Sequence, residues 1–207
     1  MEIKNTINLD TNSLVKESLS KAISYQDYRG QVATHVENGT SSGPDKSEAL
    51  SNYTLLNNSR MKRLDATMKI EEDILEKFQQ YHKNVTWLVL TESWCGDAAH
   101  AMPVMNKLVE QAKNLDFKIL YRDENEELMN RFLTNGTMSI PKLIAFDNET
   151  QEVINDWGPS PLIIMNKTKD FKAAHATLTT EFKKEIQIWY NQNKGKCIAR
   201  DLLKLIE

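Results

Sequence analysis

The chain has 207 residues, enough for one well-buried domain with extensions or for two small ones. Its 26 Lys and Arg against 29 Asp and Glu leave a formal net charge of −3, with the basic residues spread along the chain, which argues against a nucleic-acid or anionic-membrane partner. Two cysteines make no disulfide framework, no apolar run is long enough to span a bilayer, and the polar start Met1-Glu2-Ile3-Lys4-Asn5 lacks a signal-like apolar core, so the expected compartment is the cytoplasm.

The first part reads as helical. Leu14, Val15, Leu19, Ala22 and Ile23 recur at helical spacing. Ser24 opens a second helix, with Asp27 three residues on in a weak capping arrangement and Tyr25, Tyr28, Val32 and Val36 along one face. Asn38-Gly39 stops it and 40–44 reads as a loop. A third helix is predicted from Ser47 to Met61 or beyond, and a fourth near 70–81 with Ile70, Ile74, Leu75 and Phe78 as its buried stripe.

From Asn84 the texture changes to alternating strand and helix. Strands are predicted over 85–90 and 116–122, joined by a helix over 99–115 in a parallel, right-handed crossover. A short helix over 126–134 ends at Asn135-Gly136. Residues 142–146 and 152–156 read as an antiparallel hairpin around a polar turn. A long helix is predicted from the Pro159-Ser160-Pro161 stretch to about Asn191, then a break at Lys194-Gly195 and a last short helix over 197–206. The plan is α/β: a central mixed sheet flanked by helices. Residues 1–65 form an N-terminal helical extension packed on a main domain over 66–207, which carries a C-terminal helical tail.

One short run carries the chemistry: Thr91-Glu92-Ser93-Trp94-Cys95-Gly96-Asp97-Ala98, at a strand-to-helix turn. Free backbone N–H groups and the positive end of a helix favour the thiolate of Cys95. Asp97 opposes this, since a nearby carboxylate destabilises a thiolate. Cys95 is read either as a reactive thiol or as a retained structural cysteine.

These residues resemble the thioredoxin superfamily over roughly residues 68–191. Trp94-Cys95-Gly96 is similar to the family's active-site opening, Pro103 to its helix-kinking proline, Ser139-Ile140-Pro141 to its cis-proline segment, and Gly158 to the glycine that gives substrates room. The Trp-Cys-Gly-Asp-Ala form with N-terminal helices resembles a bacterial thioredoxin-like branch. The resemblance implies a thioredoxin-like fold, a cis Ile140–Pro141 bond facing Cys95, and a thiol site with Trp94, Gly96, Asp97, Ile140, Pro141 and Gly158 at the substrate groove. Ala98 stands where the family has its resolving cysteine, Asp97 replaces the intervening proline, and Val89 stands where the family buries an aspartate six residues before the first cysteine. A dithiol cycle within one chain is therefore not expected.

The other candidates have plainer readings. A predicted helix of about thirty residues would rise about 45 Å and carry Cys197 away from Cys95. The spacing Cys95-x-Asp97-x-x-His100 could hold zinc, but no other cysteine or histidine cluster supports it, and solvated helix side chains are preferred; neither a metal nor a cofactor is expected. Glu92 and Arg122-Asp123-Glu124 read as surface charges, and Met61, Met68, Met102, Met105 and Met129 as core filling. Three functions follow in order. The first is single-cysteine thiol–disulfide exchange with a protein or low-molecular-weight disulfide, Cys95 attacking and an external thiol releasing it. The second is a non-catalytic module holding an extended peptide. The third is a homodimer formed through the added helices.

Overall fold

A computed structural model describes residues 10–175 and 177–207. Asp10 accepts the amides of Asn12 and Ser13 and starts helix α1, Thr11–Leu19. A two-residue strand β1, Ile23–Ser24, follows, and Ser24 caps helix α2, Tyr25–Glu37, by accepting the Asp27 amide. Ile23 was expected at the end of a helix. Two residues cannot display a strand period, and only pairing with Ile119 makes this one a strand.

Helix α3, Glu48–Thr67, buries Thr54, Asn57, Met61 and Leu64, and the two polar members of that stripe show that it covers something polar. Helix α4, Glu72–Gln79, buries Ile74 and Phe78, whose ring meets Trp87 edge-on at 5.7 Å. Strand β2, Val85–Thr91, is buried at every position, as a strand covered on both faces must be. Helix α5, Gly96–Val109, follows it and then strand β3, Leu115–Tyr121. This helix begins three residues before the predicted start, because Cys95 itself caps it, and ends before 115, which belongs to the next strand. A 3-10 turn at Arg122–Glu124 leads to the short helix α6, Glu126–Met129, then strands β4, Lys142–Asp147, and β5, Glu152–Trp157.

The sheet order is β1-β3-β2-β4-β5, with β2 parallel to β3 and the other pairs antiparallel. The expected parallel crossover and the closing hairpin are both present. The five methionines expected in the core are buried there. One edge of the sheet is met by β1, and at the other Val153 donates its amide to the Asn12 side chain of α1 at 3.0 Å.

The C-terminal region departs most from expectation. In place of one long helix there are two, α7 (Leu162–His175) and α8 (Thr180–Asn193), before α9, Lys196–Leu203. Thr179 caps α8 by accepting the Phe182 amide. The premise that a continuous helix carries residues beyond 190 away from the sheet end bearing Cys95 therefore fails. Both cysteines are free thiols. No helix among the described residues is long and apolar enough to cross a membrane.

Candidate functional site

Cys95 sits at the turn between β2 and α5. Its backbone is extended (φ −74, ψ 113), and its Sγ accepts the Ala98 amide at 3.5 Å. On its other side Sγ donates to the Ile140 carbonyl at 3.3 Å, and the Ile140–Pro141 bond is cis. Cysteine, helix start and cis-proline segment thus meet. A second cis bond, Gly158–Pro159, was not foreseen.

The electrostatics run against a thiolate. Cys95 is only 7% exposed. Burial first, then the Asp97 charge, pushes its thiol up to about 12, and the Ala98 and Asp97 amides and Arg122 do not offset this. The helix start was expected to favour the thiolate and Asp97 to oppose it; desolvation, with Asp97, outweighs the helix amides. Asp97 itself is pushed up to about 6 by burial, opposed by the Tyr190 hydroxyl and the Arg60 charge.

Asp97 and His100 are not solvated helix side chains. The Tyr190 hydroxyl donates to Asp97 Oδ1 at 2.6 Å. The Tyr190 ring lies flat on the His100 ring, centroids 4.4 Å apart, and His100 Nε2 meets Gln187 Oε1 at 3.1 Å. Burial lowers His100 to about 4, so the imidazole is neutral. Among the described residues no three His, Cys, Asp or Glu side chains are grouped to hold a metal. Cys197 is the second residue of α9, where its sulfur accepts the Asn193 side-chain amide at 3.0 Å.

Glu92 is another correction. It is fully buried rather than a surface loop carboxylate. It accepts the Ser42 hydroxyl and the Asp123 amide, and burial pushes its carboxyl above the usual range. Ser42 and Ser93 exchange backbone-to-hydroxyl bonds at 2.9 and 2.8 Å, Thr54 meets the Ser93 hydroxyl at 2.9 Å, and Asn57 donates to the Ser93 carbonyl at 3.1 Å. The polar face of α3 and the 38–47 loop therefore clamp the Glu92-Ser93 backbone, which leads directly into Trp94 and Cys95. Gly43 fits here because a Cβ would lie 2.6 Å from Asp123 Oδ2.

Trp94 is half-buried beneath the Arg122 guanidinium, 5.2 Å from its ring, so Arg122 is a stacking partner and not a solvated charge. Ile140 and Pro141, expected to line an open substrate groove, are buried, and the Ile140 carbonyl is taken by the Cys95 thiol. Gly158 has φ +121, and a Cβ there would lie 2.1 Å from the Pro141 carbonyl oxygen. Its lack of a side chain serves this backbone approach. A concavity of about 590 Å³ lies along Gly96, Asp97 and Ser139, lined also by α7 and α8.

A strand–helix turn bearing a capping cysteine against a cis-proline segment, on a mixed sheet of this order, defines a protein of the thioredoxin fold. A thioredoxin family model matches residues 43–172, more than half of the chain, and the chain belongs to that family. No curated protein matches it. Among solved structures it is similar to a protein of unknown function from Pseudomonas aeruginosa, with TM-score 0.58 and 15% identity over 91% of this chain and 93% of that one. An HIV epitope-scaffold is similar at TM-score 0.56 and 15% identity, covering 89% of this chain and 98% of the scaffold. At such identity the likeness is one of fold alone.

Proposed function

We propose that the protein is a single-cysteine thiol–disulfide exchange protein of the Trp-Cys-Gly-Asp-Ala branch of bacterial thioredoxin-like proteins, acting in a reducing cytoplasm. The observation that carries the reading is the placement of Cys95 Sγ between the Ala98 amide and the Ile140 carbonyl beside the cis bond. Once the proton is lost, the amide supports the thiolate, while the carbonyl loses its donor and is freed for a substrate strand. The thiolate attacks one sulfur of a protein or low-molecular-weight disulfide, the S–S bond breaks, and the other sulfur leaves as a thiolate. An external thiolate then attacks the mixed disulfide, restores Cys95 and leaves with the substrate sulfur as a new disulfide. Burial and the high resting pKa make the sulfur slow at neutral pH.

The test uses bis(5-carboxy-4-nitrophenyl) disulfide and protein carrying Cys197→Ser. One equivalent of aryl thiolate per chain, mixed-disulfide formation on Cys95 and release by dithiothreitol support the reading. No aryl thiolate release up to pH 9 above that of the Cys95→Ser, Cys197→Ser protein overturns it.

A second reading is a non-catalytic module that holds an extended segment. The burial of Cys95 favours it. Partner binding unchanged in Cys95→Ser, with no exchange in the wild type, decides for this one.

A further inference from the structure

The cleft beside Gly96 and Asp97 has a chemical character that thiol exchange does not require. Its volume, about 590 Å³, falls within the usual range for small-molecule sites. Its walls are apolar where α7 and α8 face each other: Ile164, Phe182 and Ile186 line it and are buried. The ring of Phe182 is backed by that of Phe171, centroids 4.0 Å apart, which fixes one wall.

Its rim is cationic. Lys169, Lys172 and Lys183 line the cleft. None of the three makes an ion pair among the described residues, whereas nearby Lys167 is held by Glu185 at 2.5 Å. The acidic residues of these two helices, Asp170, Glu181 and Glu185, do not line it; among the described residues the one carboxylate that does is Asp97, and it is already engaged by Tyr190. An apolar hollow under three unpaired ammonium groups suits a ligand with an apolar body and an anionic head.

We infer that this cleft binds a small amphiphilic organic acid, its hydrocarbon part against Phe182 and Ile186 and its carboxylate toward Lys169, Lys172 and Lys183. The site is distinct from the exchange chemistry at Cys95, although its inner end reaches the neighbouring residues Gly96 and Asp97. Exposed ammonium groups bind through a screened field, so affinity falls as salt rises.

Decanoate titrated into the full chain by calorimetry tests this, with decyltrimethylammonium as the cation of matched chain. The expected result is saturable one-to-one binding of decanoate, displacement of the amide resonances of Gly96 and Thr168, and no comparable binding of the cation. The triple variant Lys169→Glu, Lys172→Glu, Lys183→Glu weakens decanoate at least tenfold with an unchanged far-ultraviolet spectrum; the triple Lys→Gln variant, gentler on the fold, weakens it less but measurably. Equal binding of the two amphiphiles, or decanoate binding untouched in both triple variants, overturns the inference. Cys95→Ser retains decanoate binding, so failure of the exchange assay and failure of this one are separate results.

Discussion

Tyr190 reaches back 93 residues along the chain to donate its hydroxyl to Asp97 at 2.6 Å. The same ring covers His100. One tyrosine of α8 thus seals two titratable groups of α5, and burial moves both in ways that change stability with pH.

Asp97 is raised from its ordinary 3.8 to about 6, so the folded state holds its proton longer than the unfolded chain. Its contribution is full below 3.8 and is lost as pH rises through about 6. His100 is lowered from 6.5 to about 4, so its contribution is present above 6.5 and is lost as pH falls through about 4. The two slopes oppose each other between about pH 4 and 6. Asp97→Asn is expected to leave stability rising with pH across that window, and His100→Gln to leave it falling, in urea unfolding at pH 4, 5, 6 and 7. Parallel curves for the two variants would contradict the burial of this pair.

Cys95 alkylation by iodoacetamide is expected to climb about tenfold per pH unit from 8 to 10 without a plateau, where an ordinary cysteine of pKa about 8.5 levels off. The Asp97 charge is one cause of the raised thiol, so Asp97→Asn speeds alkylation at any one pH in this range. A plateau near pH 8 in the wild type would show that the sulfur is open to solvent.

Gly158→Ala brings a methyl to 2.1 Å from the Pro141 carbonyl at a backbone angle of φ +121. Both the clash and the angle penalise alanine, and a loss of about 2–4 kcal/mol is expected in equilibrium unfolding. Gly136, also at positive φ but with open space around it, serves as the comparison and should lose about 1 kcal/mol.

Ser42→Ala removes the hydroxyl shared by Glu92 and the Ser93 amide. Leaving buried groups unpaired costs about 1–3 kcal/mol. Because that clamp ends two residues before Cys95, the variant is also expected to alkylate faster at pH 9 than the wild type under native conditions. Equal rates with lowered stability would confine Ser42 to a folding role.

The parts of this site that sequence reading found are local in the chain. Trp94-Cys95-Gly96 is contiguous, Ile140-Pro141 is a dipeptide before a hairpin, and the seven buried residues of β2 announce themselves by composition. What it missed is made by contacts between distant segments. Ser42 and Glu92 are 50 residues apart, and nothing in the local pattern of either says that the carboxylate is buried. The break between α7 and α8 did leave a trace, Thr179 as a cap with Glu181 in the first turn, but apolar residues at helical spacing on both sides read through it. Missing that break hid Tyr190 from Asp97, and with it the hydroxyl that opposes the effect of burial on this carboxylate.

The segment from Asn12 to Ser24 reaches both margins of the sheet: Asn12 accepts the Val153 amide of β5 at one, and Ile23–Ser24 is itself the short outer strand at the other, paired to β3. Unpaired margins invite neighbouring molecules to add strands. A single strap of chain thus guards the two places where copies of this protein could zip together. Its detachment would be felt first as stickiness between molecules, ahead of any melting of the sheet it guards.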